Sequence, residues 1–333
     1  SRSGMLSIRG TEKPQMSASS TPTVCPRAAM AAARFTVTEL LPTPPFPLAT
    51  AMMRAVSGTA VGDAIGLPAE GLSRRRQRRI FGVLREHRFL AARGMVSDDT
   101  EHTCLVAEAL ACSAGEPVAF ERELAARLRW WLAGLPAGVG FATLRALIRL
   151  CLGVPPHRSG VFSAGNGPAM RSALLGVCYG TDRPRLRALV RASTRLTHTD
   201  PKAEWAAYAV ALAAGWHDGR AGYQQALAVE LGESASEFLG LTEAAFRSAH
   251  RGESTEQFVD SLGLQRGVSG YCLHTVPAAL HAWLRHPEDW RAAVLAAVHC
   301  GGDTDTTGAI VGAIAGAHLG VDGIPADWIS GLI

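Results

Sequence analysis

From about residue 52 the apolar positions recur with the 3.6-residue period of packed helices in nearly every segment. The stretch TEHTCLVAEALACSAG (100–115) keeps that period to Gly115, and EWAAYAVALAAGWHDG (204–219) does likewise. The same spacing predicts helices over 118–133, 141–152, 167–178, 184–195, 222–232, 235–249, 255–262, 274–285 and 288–299. Alternating β-branched segments joined by hairpin turns are scarce, and no tandem repeat of solenoid length is present. The expectation is an all-α fold in a single compact domain spanning 52–333.

Residues 1–51 break the pattern. TEKPQMSASSTPTVCPRAAM and LLPTPPFPLA are rich in Ser, Thr and Pro and carry no sustained periodicity. They are read as a disordered leader, a remnant of upstream translation or a transit peptide, with Met52 and Met53 as candidate starts.

Two predicted helices carry glycine every fourth residue: Gly58, Gly62 and Gly66 in one, Gly308, Gly312, Gly316 and Gly320 in the other. Four residues turn a helix by about 400°, so each set lies near one face. Glycine weakens a helix by about 1 kcal/mol relative to alanine, a loss that close backbone approach would offset. The two ladders are therefore expected to pack against each other, or against equally close neighbours, and to bring Asp303 and Asp305 near the Gly58–Glu70 segment. On that basis Gly312→Leu would cost about 1–3 kcal/mol.

Composition narrows the class without naming a chemistry. The chain of 333 residues is 47% hydrophobic and 19% charged, with a formal net charge of +4. That mild excess lacks the concentrated basic face of a nucleic-acid binder. The run RRRQRRIFGVLREHR (74–88) reads first as a solvated helix face. Seven cysteines, an odd number with no C-x-x-C pair, fit reduced thiols in the cytoplasm rather than a zinc site or a disulfide framework. Apolar stretches are interrupted before reaching membrane-spanning length.

The chemistry gathers at two predicted helix starts. SDDT (97–100) and GGDTDTT (301–307) each place two carboxylates where capping and the helix dipole account for one. Like charges held together favour protonation unless a cation neutralises them. Ser97, Asp98, Asp99, Asp303, Asp305 and Thr306 offer only hard oxygen donors, suited to Mg²⁺, Mn²⁺ or Ca²⁺ rather than zinc or copper. Four carboxylates can hold two divalent ions and leave room for water, which makes a metal-dependent hydrolase the expected class.

Six segments in order carry a resemblance: GTAVGDAIGLPAE (58–70), SDDTEHT (97–103), GNGPAMR (165–171), STRLTHTDPKAEWAA (193–207), SGYCLHTVPAAL (269–280) and GGDTDTTGAIVGAIAGA (301–317). Together they resemble the ADP-ribosylglycohydrolase family, which includes dinitrogenase reductase-activating glycohydrolase. The resemblance implies a cleft with two Mg²⁺ or Mn²⁺ ions held by Ser97 (where relatives often have Thr), Asp98, Asp99, Asp303, Asp305 and Thr306. It implies hydrolysis of the bond joining ADP-ribose to a protein side chain or another acceptor, arginine first. Asp98, Asp99, Asp303 and Glu70 would be catalytic, with Glu70 on a flap over the metals and Asp63 supporting the ligands. Gly165, Asn166 and Gly167 would form the substrate loop, His198 would line the ribose site, and Gly270 with Tyr271 would wall the nucleotide. Alternatives are a small-molecule or nucleic-acid ADP-ribose conjugate as substrate, or a catalytically silent ADP-ribose-binding module. The expected protein is a monomer acting on ADP-ribosylated protein, with no membrane partner.

One departure stands out. Some relatives that cleave ADP-ribosyl-arginine carry an acid on the loop corresponding to GLPAGVGFAT (134–143), and this loop has none. His102 and Cys300, beside the two acidic motifs, are expected to be packing residues.

Overall fold

The computed structural model describes residues 46–89 and 92–333, so residues 1–45 of the expected leader lie outside the described residues. Helix α1 (Phe46–Gly66) begins ahead of residue 52, which makes the last part of the segment read as leader helical. There follow α2 (Arg74–Phe81), α3 (Asp98–Ser113), α4 (Pro117–Ala133), α5 (Phe141–Cys151) and α6 (Pro156–Ser159). Next come α7 (Gly167–Met170), α8 (Ala173–Tyr179), α9 (Arg183–Arg195), α10 (Pro201–Ala214) and α11 (Arg220–Leu231). The chain then forms α12 (Ser236–His250), α13 (Thr255–Ser261), α14 (Cys272–Arg285), α15 (Trp290–Val298), α16 (Thr304–Leu319) and α17 (Ala326–Ser330). Among the described residues there are isolated β-bridges and no strand, so the all-α expectation holds.

Local chemistry sets many of these boundaries. Asp182, Asp200 and Asp289 cap α9, α10 and α15 through their side chains, and Ser254 with Gln257 forms a capping box on α13. The stretch 167–178, predicted as one helix, is two. The chain breaks at Arg171, whose guanidinium is pulled into a buried network with Ser193, Thr197 and His102. Tertiary contact there overrides helical propensity.

Helices α1 and α16 form the centre of the fold and lie backbone to backbone. A methyl placed on Gly58 would fall 2.0 Å from the Gly312 carbonyl oxygen. On Gly62 it would fall 2.2 Å from that of Gly308, and on Gly66 2.1 Å from that of Thr304. The expected pairing of the ladders is thus present. Gly320 is the exception: it ends α16 at φ +80° and belongs to no ladder. Residues 304–316 are buried on every side, so α16 reads as hydrophobic all round.

The basic run is partly structural. Arg74 is buried, pairs with Asp260 at 2.8 Å and donates to the Cys300 carbonyl, while Arg78 pairs with Glu256. Arg75, Arg76 and Arg79 are exposed. Among the described residues no helix is long and apolar enough to cross a membrane.

Candidate active site

The α1–α16 contact delivers two acidic segments to one place, and a clamp on the loop before α16 fixes the rest. Gly302 exchanges hydrogen bonds with the chain at Gly71 and Leu72, while Val268 N donates to Gly301 O and Asp303 N donates to Val268 O. Gly302 sits at φ +85°, and a methyl there would strike the Val268 carbonyl, so only glycine fits between these segments. Asp303 is thereby held at the mouth of α16.

Helix capping accounts for few of the acids. Ser97, not an aspartate, caps α3 by accepting from Asp99 N at 3.3 Å. Asp303 is the residue before α16, yet its side chain makes no capping bond. Its Oδ2 instead accepts from Asn166 Nδ2 at 2.6 Å. Asp63 acts across helices rather than within its own: its Oδ2 accepts from Ser97 N at 2.8 Å and from Thr100 Oγ1 at 2.5 Å, tying α1 to the start of α3. Asp99 Oδ2 accepts from both Ser97 Oγ at 3.2 Å and Thr306 Oγ1 at 3.1 Å. Ser97, Asp99 and Thr306, from distant parts of the sequence, thus meet on one oxygen.

Three carboxylate oxygens are left over. Asp63 Oδ1, Asp99 Oδ1 and Asp305 Oδ1 are buried without a hydrogen bond. Burial and mutual repulsion raise the carboxylates together. Asp98 is raised to about 7 by burial and then by Asp63, Glu101 and Glu70. Asp305 is raised to about 10 by burial, Asp303, Glu70 and Asp63. Asp99 is driven well up by burial, then by Asp305, Asp63, Asp98 and Asp303. Asp63 rises to about 6 through burial, opposed by its hydrogen bonds.

A hard divalent cation fits this donor set: several acids crowd together, and three buried oxygens lack a donor. Among the described residues no group of three or more His, Cys, Asp or Glu side chains is arranged to hold an ion by itself. The donors here are mixed, with hydroxyls among the carboxylates, and several carboxylate oxygens are turned to protein partners.

The glycine-rich loop closes one side. Asn166 N donates to Gly270 O at 3.0 Å and Cys272 N donates to Ala164 O at 2.9 Å, so the loop pairs with the approach to α14. Asn166 Nδ2 reaches Thr275 Oγ1 as well as Asp303, linking the loop to the acids. His198 lies behind the loop: a methyl on Gly165 would come within 2.8 Å of its Nε2, and one on Gly167 within 3.3 Å of its Cε1. Gly270 is open toward Asp303, with Oδ2 at 3.3 Å from a methyl placed there. The Tyr271 hydroxyl accepts from Lys202 Nζ at 3.1 Å.

Glu70 is exposed at the rim, where partial desolvation and Asp303 raise its carboxyl. The neutral stretch 134–143 reaches the glycine loop at its end, where Thr143 Oγ1 is 3.4 Å from a methyl placed on Gly167. Sequence reasoning missed one acid at this edge. Glu101 stands three residues after Asp98 on the same helix, the spacing of side chains that share a face. It accepts from Trp131 Nε1 at 2.6 Å and raises Asp98. His102 and Cys300 are both buried, as expected of packing residues.

The chain is similar to known proteins of one family. The family model described as ADP-ribosylglycohydrolase matches residues 48–333. An uncharacterized protein of Archaeoglobus fulgidus is 33% identical over 290 residues, covering 83% of this chain and 90% of its own length. ADP-ribosyl-[dinitrogen reductase] glycohydrolase of Rhodospirillum rubrum is 28% identical, covering 84% of this chain and 88% of its own. ADP-ribosylhydrolase ARH3 of Mus musculus is 30% identical over 201 residues, 51% of this chain and 53% of its own. A solved chain from an ADP-ribosylglycohydrolase-related protein complex superposes with a TM-score of 0.59 and 28% identity, covering 86% of this chain and 93% of that one. The chain belongs to the ADP-ribosylglycohydrolase family, and it is a hydrolase of the glycosidase type.

Proposed function

We propose that the acidic cleft hydrolyses the glycosidic bond between ADP-ribose and an acceptor side chain on a protein. The observation that carries this reading is the crowding of Asp63, Asp98, Asp99, Asp303 and Asp305 with buried, unpartnered oxygens beside a glycine loop. Ser97, Asp98, Asp99, Asp303, Asp305 and Thr306 would hold two Mg²⁺ or Mn²⁺ ions. When bound, these ions supply positive charge that acidifies water and orients vicinal hydroxyls. The protein's own groups do the rest. Asn166 keeps Asp303 and the glycine loop in register, and Gly165 with Gly167 lets the nucleotide approach the backbone. Gly270 and Tyr271 wall the nucleotide, and His198 contacts the ribose. Glu70, with its raised carboxyl, orients the attacking water at the rim and takes up its proton. The bond from the anomeric carbon to the acceptor breaks as the bond to water oxygen forms, and the proton taken from the water passes to the departing acceptor atom.

Treatment with a chelator is expected to abolish ADP-ribose release from an ADP-ribosylated protein, and Mg²⁺ or Mn²⁺ to restore it. Chelator-insensitive release, or none from any acceptor, would overturn the reading in favour of other chemistry or of silent binding. Metal loading has a pH signature of definite sign. Asp63, Asp98 and Asp305 hold protons up to about 6, 7 and 10 in the fold, whereas an unfolded chain releases them near about 4. That contribution to stability is complete below the unfolded value and is lost as pH rises through the folded ones. A cation must displace these protons, so the Mg²⁺-induced rise in melting temperature is expected to be larger at pH 8 than at pH 6.

Arginine remains the first acceptor, and the neutral loop predicts slow turnover of it. Two positions on that loop invite an added acid: Gly138 has φ +76° and strains any side chain, whereas Phe141 is exposed at the start of α5. Phe141→Asp is expected to raise kcat/KM on ADP-ribosyl-arginine about tenfold, the equivalent of one charge-assisted contact. No gain, with wild type already faster on arginine than on other acceptors, would show that Glu101 or Glu70 serves instead.

A further inference from the structure

We propose that Arg171 and Thr197 are positioning residues that hold His198 as a single tautomer, protonated on Nε2, so that it presents a fixed hydrogen-bond donor to substrate at the Gly165–Gly167 loop. The proposal rests on the reading above that this loop and His198 line the substrate site.

The argument is one of donors and acceptors. Arg171 is fully buried and has no carboxylate within ion-pair distance among the described residues. Its Nε donates to Ser193 Oγ at 3.1 Å, and its Nη2 donates to Ser193 O at 2.9 Å and to Thr197 Oγ1 at 2.8 Å. Its Nη1 lies 3.2 Å from His102 Nδ1. A guanidinium has donors only, so Thr197 Oγ1 must accept from it.

Thr197 is itself fully buried, and its hydroxyl proton needs an acceptor. His198 Nδ1, 2.9 Å away, is the acceptor within reach among the described residues. With a proton on Nδ1, Thr197 would accept twice and its own proton would be buried unpaired, the costly arrangement. Nδ1 therefore carries the lone pair and Nε2 the proton. No protein group among the described residues hydrogen-bonds Nε2. Two glycines leave the space before it clear, since a methyl on Gly165 would press against it.

At His102 the donor-only guanidinium alone decides: Nδ1 accepts from Arg171, and the proton goes to Nε2, which is buried without a hydrogen-bond partner, with the ring T-shaped on Trp131 at 4.3 Å between centroids. Burial and the Arg171 charge lower His198 to about 3, which keeps the imidazole neutral at physiological pH. His198 is thus a donor of constant state rather than a proton shuttle.

The test compares wild type with Thr197→Val, which removes the hydroxyl at constant shape, and Thr197→Ser, which retains it. Ring ¹⁵N shifts of histidine-labelled protein, assigned with His198→Gln, report the tautomer. Calorimetry with ADP-ribose in the presence of Mg²⁺ reports binding. Wild type and Thr197→Ser are expected to show the Nε2–H tautomer. Thr197→Val is expected to show a mixture and to bind ADP-ribose about tenfold more weakly, the loss of one aligned hydrogen bond. A wild-type Nδ1–H tautomer would overturn the proposal, as would unchanged tautomer and affinity in Thr197→Val, or a Ser variant as weak as Val. Wild-type protein with the Nε2–H tautomer and no affinity for ADP-ribose would overturn the substrate reading, and with it the donor role of His198.

Discussion

Replacing Asp305 by Asn is expected to lower ADP-ribose release by at least about 10³-fold, some 4 kcal/mol of lost transition-state stabilisation. Asp305 is almost completely buried at the head of α16 with Oδ1 unpartnered, and that burial, followed by Asp303, Glu70 and Asp63, raises it to about 10. Such a carboxylate is unfavourable for the metal-free fold, and its value lies in the cation it attracts. Asparagine keeps the shape and removes the charge. The metal-free variant should therefore melt at or above the wild-type temperature at pH 8, where the wild-type fold holds a proton that its unfolded state has released. The rise in melting temperature on adding Mg²⁺ should shrink or vanish. Steady-state kinetics and melting curves with and without Mg²⁺ give both readouts. Near-normal activity, or a destabilised metal-free protein with an intact Mg²⁺ response, would contradict the assignment of Asp305 as a ligand.

How much of this was legible before the fold was known depended on distance along the chain. Asp98, Asp99, Asp303 and Asp305 announce themselves because two like charges within three residues at a helix start exceed what capping uses. The glycine ladders were legible for a similar reason, since a four-residue repeat is a local statement about one helix face. Even so, local reading misassigned the capping: Ser97 does it for α3, and Asp303 leaves its side chain free of it. Asp63 was read only as supporting the ligands. It is bonded to the start of α3, a contact that exists only once α1 and α3 are packed.

Arg171 and Thr197 were visible only as letters in GNGPAMR and RLTHTD. Their roles come from residues that meet through folding, and no spacing rule connects 102, 171, 193 and 197. The break at Arg171 between α7 and α8 has the same origin. Glu101 was missed although its i, i+3 spacing from Asp98 puts both on one helix face, because a single acid inside a helix carries no excess charge to mark it. The basic run shows the opposite error: its density of charge suggested a solvated face, and Arg74 turned out to be anchored on Asp260.

Gly58→Ala is expected to destabilise the protein by about 3 kcal/mol or more, at the upper end of overpacking penalties. Gly312→Leu should exceed the 1–3 kcal/mol anticipated from the repeat alone. The added methyl of Gly58→Ala would lie 2.0 Å from Gly312 O and 2.7 Å from its carbonyl carbon. Both are backbone atoms, with no rotamer to move aside. Gly312 O also accepts from Trp290 Nε1 at 3.0 Å, so shifting it disturbs a second buried contact. The helices must separate, which weakens the Thr304 Oγ1 bond to Gly66 O at 2.8 Å and moves Asp305 relative to Asp63. Activity should then fall along with stability, although no metal donor has changed. Gly240→Ala is the control. Gly240 lies in α12 with open space where its methyl would go, and alanine there should stabilise the helix by about 0.5–1 kcal/mol. Urea denaturation of the two alanine variants separates packing from propensity, because the same chemical change is expected to act with opposite sign. A Gly58→Ala protein as stable as wild type would mean that the α1–α16 backbones do not approach as closely as this fold requires.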